Sequence, residues 1–148
     1  MSRRVLRGFN REALRKLREE ASVSAAELGR RAGLGPGAIS SWESGRSTPQ
    51  ADNLAAAMRV LGRPVEAVVD IAPEERYLGD WRVLSGLLQP QLAAAVGTAT
   101  SRLAQIERGE AALPDALASR LADALGISEE QVRMAHSKAR SRGWGQPV

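Results

Sequence analysis

The sequence predicts an all-α protein made of two tandem helical domains, and three observations carry that prediction. Sliding the chain on itself by 64 positions brings Leu28 onto Leu92, Gly33 onto Gly97, Glu43 onto Glu107, Gly45 onto Gly109, Leu61 onto Leu125 and Gly62 onto Gly126. Leu14 then falls on Leu78, Arg18 on Arg82 and Val68 on Val132. Glycines and apolar positions that stay in step over one shift mark two copies of a small unit rather than one larger core. Within each copy, apolar residues recur at helical spacing between glycines, and no stretch shows the sustained alternation of a half-buried strand. The expected layout is a basic N-terminal arm over residues 1–8, a first domain over 9–71, a second over 72–136 and a basic C-terminal tail over 137–148. The linker between the domains reduces to about Asp70 to Ala72.

In the first copy Asn10 caps a helix with Ala13, Leu14 and Leu17 on one face, ending near Glu20 or Ala21. Ser24 and Glu27 have the spacing of a capping box, and Leu28 and Ala32 point inward. Gly33 supplies the left-handed residue that ends this second helix, and Gly35-Pro36 opens the third with proline at its first position. Ile39 and Trp42 form the buried face of that helix, and Gly45 stops it. Thr48-Pro49 caps a fourth helix bearing Leu54, Ala57, Met58 and Leu61, and Pro64 to Val69 makes a short fifth. The second copy repeats the scheme: Pro73 opens its first helix, Leu78 and Trp81 face inward, Gly97 makes the sharp turn, and Ser128 and Gln131 form another capping box.

Composition excludes several chemistries. Without cysteine there is no disulfide framework and no thiolate nucleophile or ligand, and a lone His136 leaves no partner for imidazole-based metal sites or triads. No cofactor is expected. No apolar run could span a bilayer, and the N-terminal MSRRVLRGF lacks the apolar segment of a signal peptide, so a soluble cytoplasmic protein with no membrane partner is expected. The formal net charge of +4 is uneven. Residues 1–70 carry 12 Lys+Arg against 8 Asp+Glu, and residues 71–148 carry 9 of each. A basic first half suits a polyanion.

A helix of about two turns, a short glycine-containing turn and a second helix form the helix-turn-helix layout, which sets one helix proud of the surface for a major groove. The segment AAELGRRAGLGPGAISSWESGRSTP resembles the Cro/C1-type, or XRE, family of helix-turn-helix repressors through Ile39, Ser40, Trp42, Glu43, Gly45 and Pro49. The second copy, QLAAAVGTATSRLAQIERGEAALP, resembles it through Leu92, Ala93, Gly97, Leu103, Ile106, Glu107 and Gly109. Its Pro114 falls one residue late relative to Pro49, which predicts a rearranged loop before the fourth helix. The resemblance implies two lambda-repressor-like five-helix domains, and it implies structural ion pairs of Arg18 with Glu43 and Arg82 with Glu107.

With Ile39 and Trp42 turned inward, the groove-facing residues of the first domain are Gly35, Pro36, Gly37, Ala38, Ser40 and Ser41, followed by Arg46, Ser47 and Thr48 where the family grips phosphate. In the second domain Thr100, Ser101, Arg102 and Gln105 offer donors and acceptors for base edges, while Glu110 replaces Arg46. Arg3, Arg4 and Arg7 in one arm, and Lys138, Arg140 and Arg142 in the other, suit a minor groove or phosphates. The expected function is a sequence-specific bacterial DNA-binding regulator, a repressor rather than an enzyme, with double-stranded DNA as its partner. The alternative is an antitoxin or adaptor in which the second domain and tail bind a protein and DNA binding is autoregulatory. The sequence leaves a homodimer open.

Overall fold

The computed structural model describes residues 6–142. The chain divides into two compact units, Met1–Ile71 with Leu84–Gly86 and Ala72–Val83 with Leu87–Val148. The described residues are helical, and Phe9 and Val69 form an isolated antiparallel bridge rather than a strand. The first unit contains α1 (Arg11–Glu20), α2 (Ala25–Arg31), α3 (Ala38–Ser44), α4 (Ala51–Leu61) and a 3₁₀ turn at Val65–Val68. The second contains a 3₁₀ turn at Pro73–Glu75, then α5 (Leu78–Leu84) up to Val83, α6 (Gln89–Val96), α7 (Thr100–Glu107), α8 (Asp115–Leu125) and α9 (Glu129–Ser141).

Each unit has its own core, and the two cores are built from repeat-related residues. In the first, Leu14, Leu28, Ile39, Trp42, Leu54, Met58 and Val68 are buried together. In the second, Leu78, Leu92, Leu103, Ile106, Ala118, Ala122 and Val132 take the matching places. Each large apolar side chain removed from water in this way stabilises its unit by about 1.5–3 kcal/mol relative to exposure. The first unit is closed at its base: Asn10 N–H donates to Val68 O at 2.8 Å and Asp70 N–H to Gly8 O at 2.8 Å. Asn10 also caps α1, its side-chain oxygen accepting from Ala13 N–H at 2.9 Å while its amide donates to Asp70.

Several local expectations are corrected. Pro36 is not the first residue of α3. Ala38 N–H donates to Gly35 O at 3.2 Å, and Gly37 has φ 80 and ψ 0. That is a type II turn with proline second and glycine third, so α3 begins only at Ala38. Ser24 accepts from Glu27 N–H, but the Glu27 carboxylate pairs with Arg30 and Arg31 and the box is half made. Residue Gln50, not Thr48-Pro49, precedes the first turn of α4, and Pro49 is buried. Pro73 opens only a 3₁₀ turn, and α5 starts at Leu78, where the Asp80 carboxylate accepts from Tyr77 N–H at 2.9 Å.

The loop before α8 is not rearranged. Arg46 and Ser47 N–H both donate to Ser41 O, and Glu110 and Ala111 N–H both donate to Gln105 O, residues related by the same 64-position shift. Register is kept because Leu113 is buried in the place of Pro49, and Pro114 moves to the residue before α8, where its missing N–H costs nothing. The largest difference between the copies is the last element. The single 3₁₀ turn of the first becomes the 13-residue α9, opened by the reciprocal Ser128–Gln131 capping box, so Ser137–Ser141 of the expected tail are helix.

Two glycines with positive φ make a test. A Cβ on Gly37 would meet nothing within 4 Å, whereas one on Gly109 would lie 2.6 Å from the Ala139 and Arg140 backbone of α9. Gly37→Ala should cost about 1–2 kcal/mol from its left-handed conformation alone. Gly109→Ala should cost clearly more in urea denaturation, and equal losses would contradict the close seat of α9.

Candidate nucleic-acid interface

In each unit the C-terminal end of the outward helix is tied to the first helix by one charged pair. Arg18 Nε and Nη2 donate to Glu43 Oε2 and Oε1 at 2.7 and 2.8 Å, and Nη1 donates to Val23 O at 2.9 Å. Arg82 repeats the pattern, with Nε and Nη2 on Glu107 at 2.9 and 3.3 Å and Nη1 on Leu87 O at 3.0 Å. The side chains of Arg18 and Glu43 are 14% and 5% exposed, and those of Arg82 and Glu107 are 11% and 0% exposed. The hydrogen bonds to Glu43 are the main reason that the Arg18 guanidinium is held above its ordinary pKa. Three donors committed to one partner and one carbonyl fix the guanidinium plane, and with it the angle between the two helices.

Beyond this shared frame the two interfaces differ. In the first unit the outward face of α3 offers Ser40, which is exposed, and Ser41, which is half-buried with its hydroxyl 2.8 Å from that of Ser47. Gly35, Pro36 and Gly37 lie in the exposed turn before the helix rather than on it. Arg46 is exposed and donates to Ser44 Oγ at 3.1 Å; Thr48 is exposed beside it. Arg15 and Arg11, which the repeat and the family pattern do not single out, also reach the end of α3. Arg15 bonds Glu43 O at 3.5 Å and lies 3.5 Å from its carboxylate, and the Arg11 guanidinium lies against Gly45. Their spacing from Arg18, at seven and three residues on one helix, is the signal in the sequence that points to them.

In the second unit α7 begins two residues earlier in the repeat than α3, because Thr100 and Ser101 stand where the first copy has Pro36 and Gly37. Thr100, Ser101, Arg102 and Gln105 are all exposed, opposite the buried Leu103, Ile106 and Glu107. The following loop is neutralised from within: Arg108 Nε and Nη2 hold the Glu110 carboxylate at 2.7 and 3.1 Å. These bonds lower the Glu110 pKa and raise that of Arg108, so as pH falls the pair is lost later than a free carboxylate would be protonated. Gln89, another residue that the motif does not mark, adds a third donor to Glu107 at 3.0 Å.

Of the arm residues, Arg3 and Arg4 lie outside the described residues, and Arg7 is exposed just before the Phe9 bridge. Lys138 and Arg140 belong to α9 and Arg142 follows it. Arg140 and Arg142 donate to Gly109 O and Arg108 O at 3.4 and 2.8 Å. Among the described residues no cluster of His, Asp and Glu could hold a metal ion, and no helix is long and apolar enough to cross a membrane.

A short helix pair with a glycine turn, repeated twice, each with an exposed polar second helix, defines a helix-turn-helix protein. A helix-turn-helix family model matches residues 14–68 and again 78–132, together well over half of the chain. The chain therefore belongs to the Cro/C1-type helix-turn-helix family of DNA-binding regulators, in two tandem copies. No curated protein matches it significantly.

The third donor gives a graded test. Gln89→Leu leaves one oxygen of a wholly buried carboxylate short of a partner and should cost about 1.5–3 kcal/mol. Arg15→Leu, which removes a long hydrogen bond from an exposed side chain, should cost under about 1 kcal/mol. Denaturant midpoints check the order, and a Gln89→Leu protein as stable as wild type would remove Gln89 from the network.

Proposed function

We propose that the protein is a sequence-specific transcriptional regulator, a repressor acting by occupancy in the cytoplasm, in which the first domain supplies grip and the second supplies base discrimination. The observation that carries this reading is the contrast between α3 and α7. The face of α3 is small and poor in hydrogen-bonding groups, but the exposed Arg46 follows directly after it, with Arg11 and Arg15 at the end of the helix. The face of α7 presents Thr100, Ser101, Arg102 and Gln105 to solvent, with Arg108 of its loop already committed to Glu110. Cations facing phosphate give affinity that falls with salt and ignores sequence, whereas Arg and Gln side chains on an outward helix can make bidentate contacts to guanine and adenine edges.

One observation favours a second reading, with the second domain as a partner-binding module. A recess of about 200 Å³ lined by Pro73, Trp81, Met134 and Ala135 lies on that unit, and Met134 is 50% exposed. An adaptor of this kind would keep the protein's interactions when Arg102 and Gln105 are removed.

The test begins with selection of bound duplexes from a randomised library by the full chain. Arg46→Ala should weaken the selected duplex and its scrambled version equally and lower the salt slope by about one unit. Arg102→Ala with Gln105→Ala should leave the scrambled duplex unaffected and reduce discrimination by about 1–3 kcal/mol for each bidentate base pairing removed. Failure to select any duplex, or unchanged discrimination in the double variant, would overturn the proposal.

A further inference from the structure

The end of the outward helix is finished differently in the two domains. In the first, α1 supplies the groups: Arg15 donates to Glu43 O and Arg11 lies over Gly45. The repeat-related residues of the second domain are Gly79 and Glu75, which can supply neither guanidinium. Three carbonyls past the end of α7 nevertheless accept hydrogen bonds from the last turns of α9 and the residue after it. His136 Nε2–H donates to Ala111 O at 2.8 Å, Arg140 to Gly109 O and Arg142 to Arg108 O. His136 and Ala139 are buried in making this seat. Gly109 has φ +77 and no room for a Cβ against the Ala139–Arg140 backbone. Arg142 also lies over the Tyr77 ring at 5.6 Å, next to the start of α5. Two cations at the C-terminal end of α7 also complement the negative end of its dipole.

We infer that the last turns of α9, through His136, Arg140 and Arg142, are the positioning element of the second domain's recognition helix, replacing Arg11 and Arg15 of the first. These residues act through α7 and not on DNA. The three carbonyls belong to the loop that in this fold follows the recognition helix, so any play in the loop becomes play in where Arg102 and Gln105 point.

The inference rests on the proposed reading of α7 as the base-reading helix, and two measurements separate the failure of one from the failure of the other. His136→Leu removes the donor to Ala111 O. Affinity of the full chain for the selected duplex should fall about tenfold, the equivalent of one hydrogen bond, with scrambled-duplex affinity and salt slope unchanged. Arg140→Gln with Arg142→Gln should give the same split, and Arg140→Lys with Arg142→Lys should restore part of it. A drop of about two units in salt slope with equal weakening on both duplexes would mean that these arginines meet phosphate directly, and it would overturn the inference. Amide exchange of residues 104–111 in the free protein needs no DNA. It should accelerate in both donor-removing variants whether or not wild type selects a duplex, and unchanged protection there would also overturn the inference.

Discussion

Each domain depends on a guanidinium that cannot be left without its carboxylate. Arg18 and Arg82 stand on the first helix of their units, mostly removed from water, and each is held by both oxygens of a glutamate at the end of the outward helix and by one carbonyl of the turn between the first and second helices. Burial of two charges is costly, and an apolar pair of the same volume is often at least as stable, so the pair is poorly explained as a source of stability. It is well explained as a source of geometry. Apolar contacts among Leu14, Ile39 and Leu54 tolerate small rotations of α3, but a bidentate fork with a third bond to the Val23 carbonyl does not. Gln89 on Glu107 and Arg15 on Glu43 then complete the carboxylates by different means in the two copies.

Much of this is legible in the sequence because the chain carries its own comparison. The shift of 64 residues shows which glycines and apolar residues belong to the fold, and the recurrence of Arg18 and Glu43 as Arg82 and Glu107 picks out two residues otherwise indistinguishable from surface charges. Helix ends are less legible. Pro36 satisfies both a helix start and the second place of a type II turn, and only the left-handed Gly37 decides between them. Pro114 has the look of a shifted signal, yet Leu113 can fill the pocket of Pro49, so a one-residue offset in proline leaves the loop intact. The charge of the C-terminal segment suggests an arm. Its apolar residues Val132, Ala135 and Ala139, three and four apart, carry the helix to Ser141, and the arginines around them mask that spacing.

The outward faces of α3 and α7 are legible as residue types but not as shapes. Thr100, Ser101, Arg102 and Gln105 are placed on an outward face by the inward pull of Leu103 and Ile106. The earlier start of α7, which brings Thr100 and Ser101 onto the helix while their counterparts form a turn, depends on backbone conformations that no residue pattern states directly. The contribution of Arg11 and Arg15 to one domain, and of α9 to the other, depends on which carbonyls are left over at each helix end, and only the folded backbone shows that.

The claim that a buried charge pair sets each outward helix is tested most directly by a double-mutant cycle on Arg82 and Glu107, read by reversible denaturation of the full chain. Arg82→Met and Glu107→Leu should each cost about 3–5 kcal/mol, because each strands the other's charge. The double variant should cost far less than their sum, a coupling of roughly 3 kcal/mol. Single effects that add to within about 0.5 kcal/mol would show two independent side chains and contradict the account.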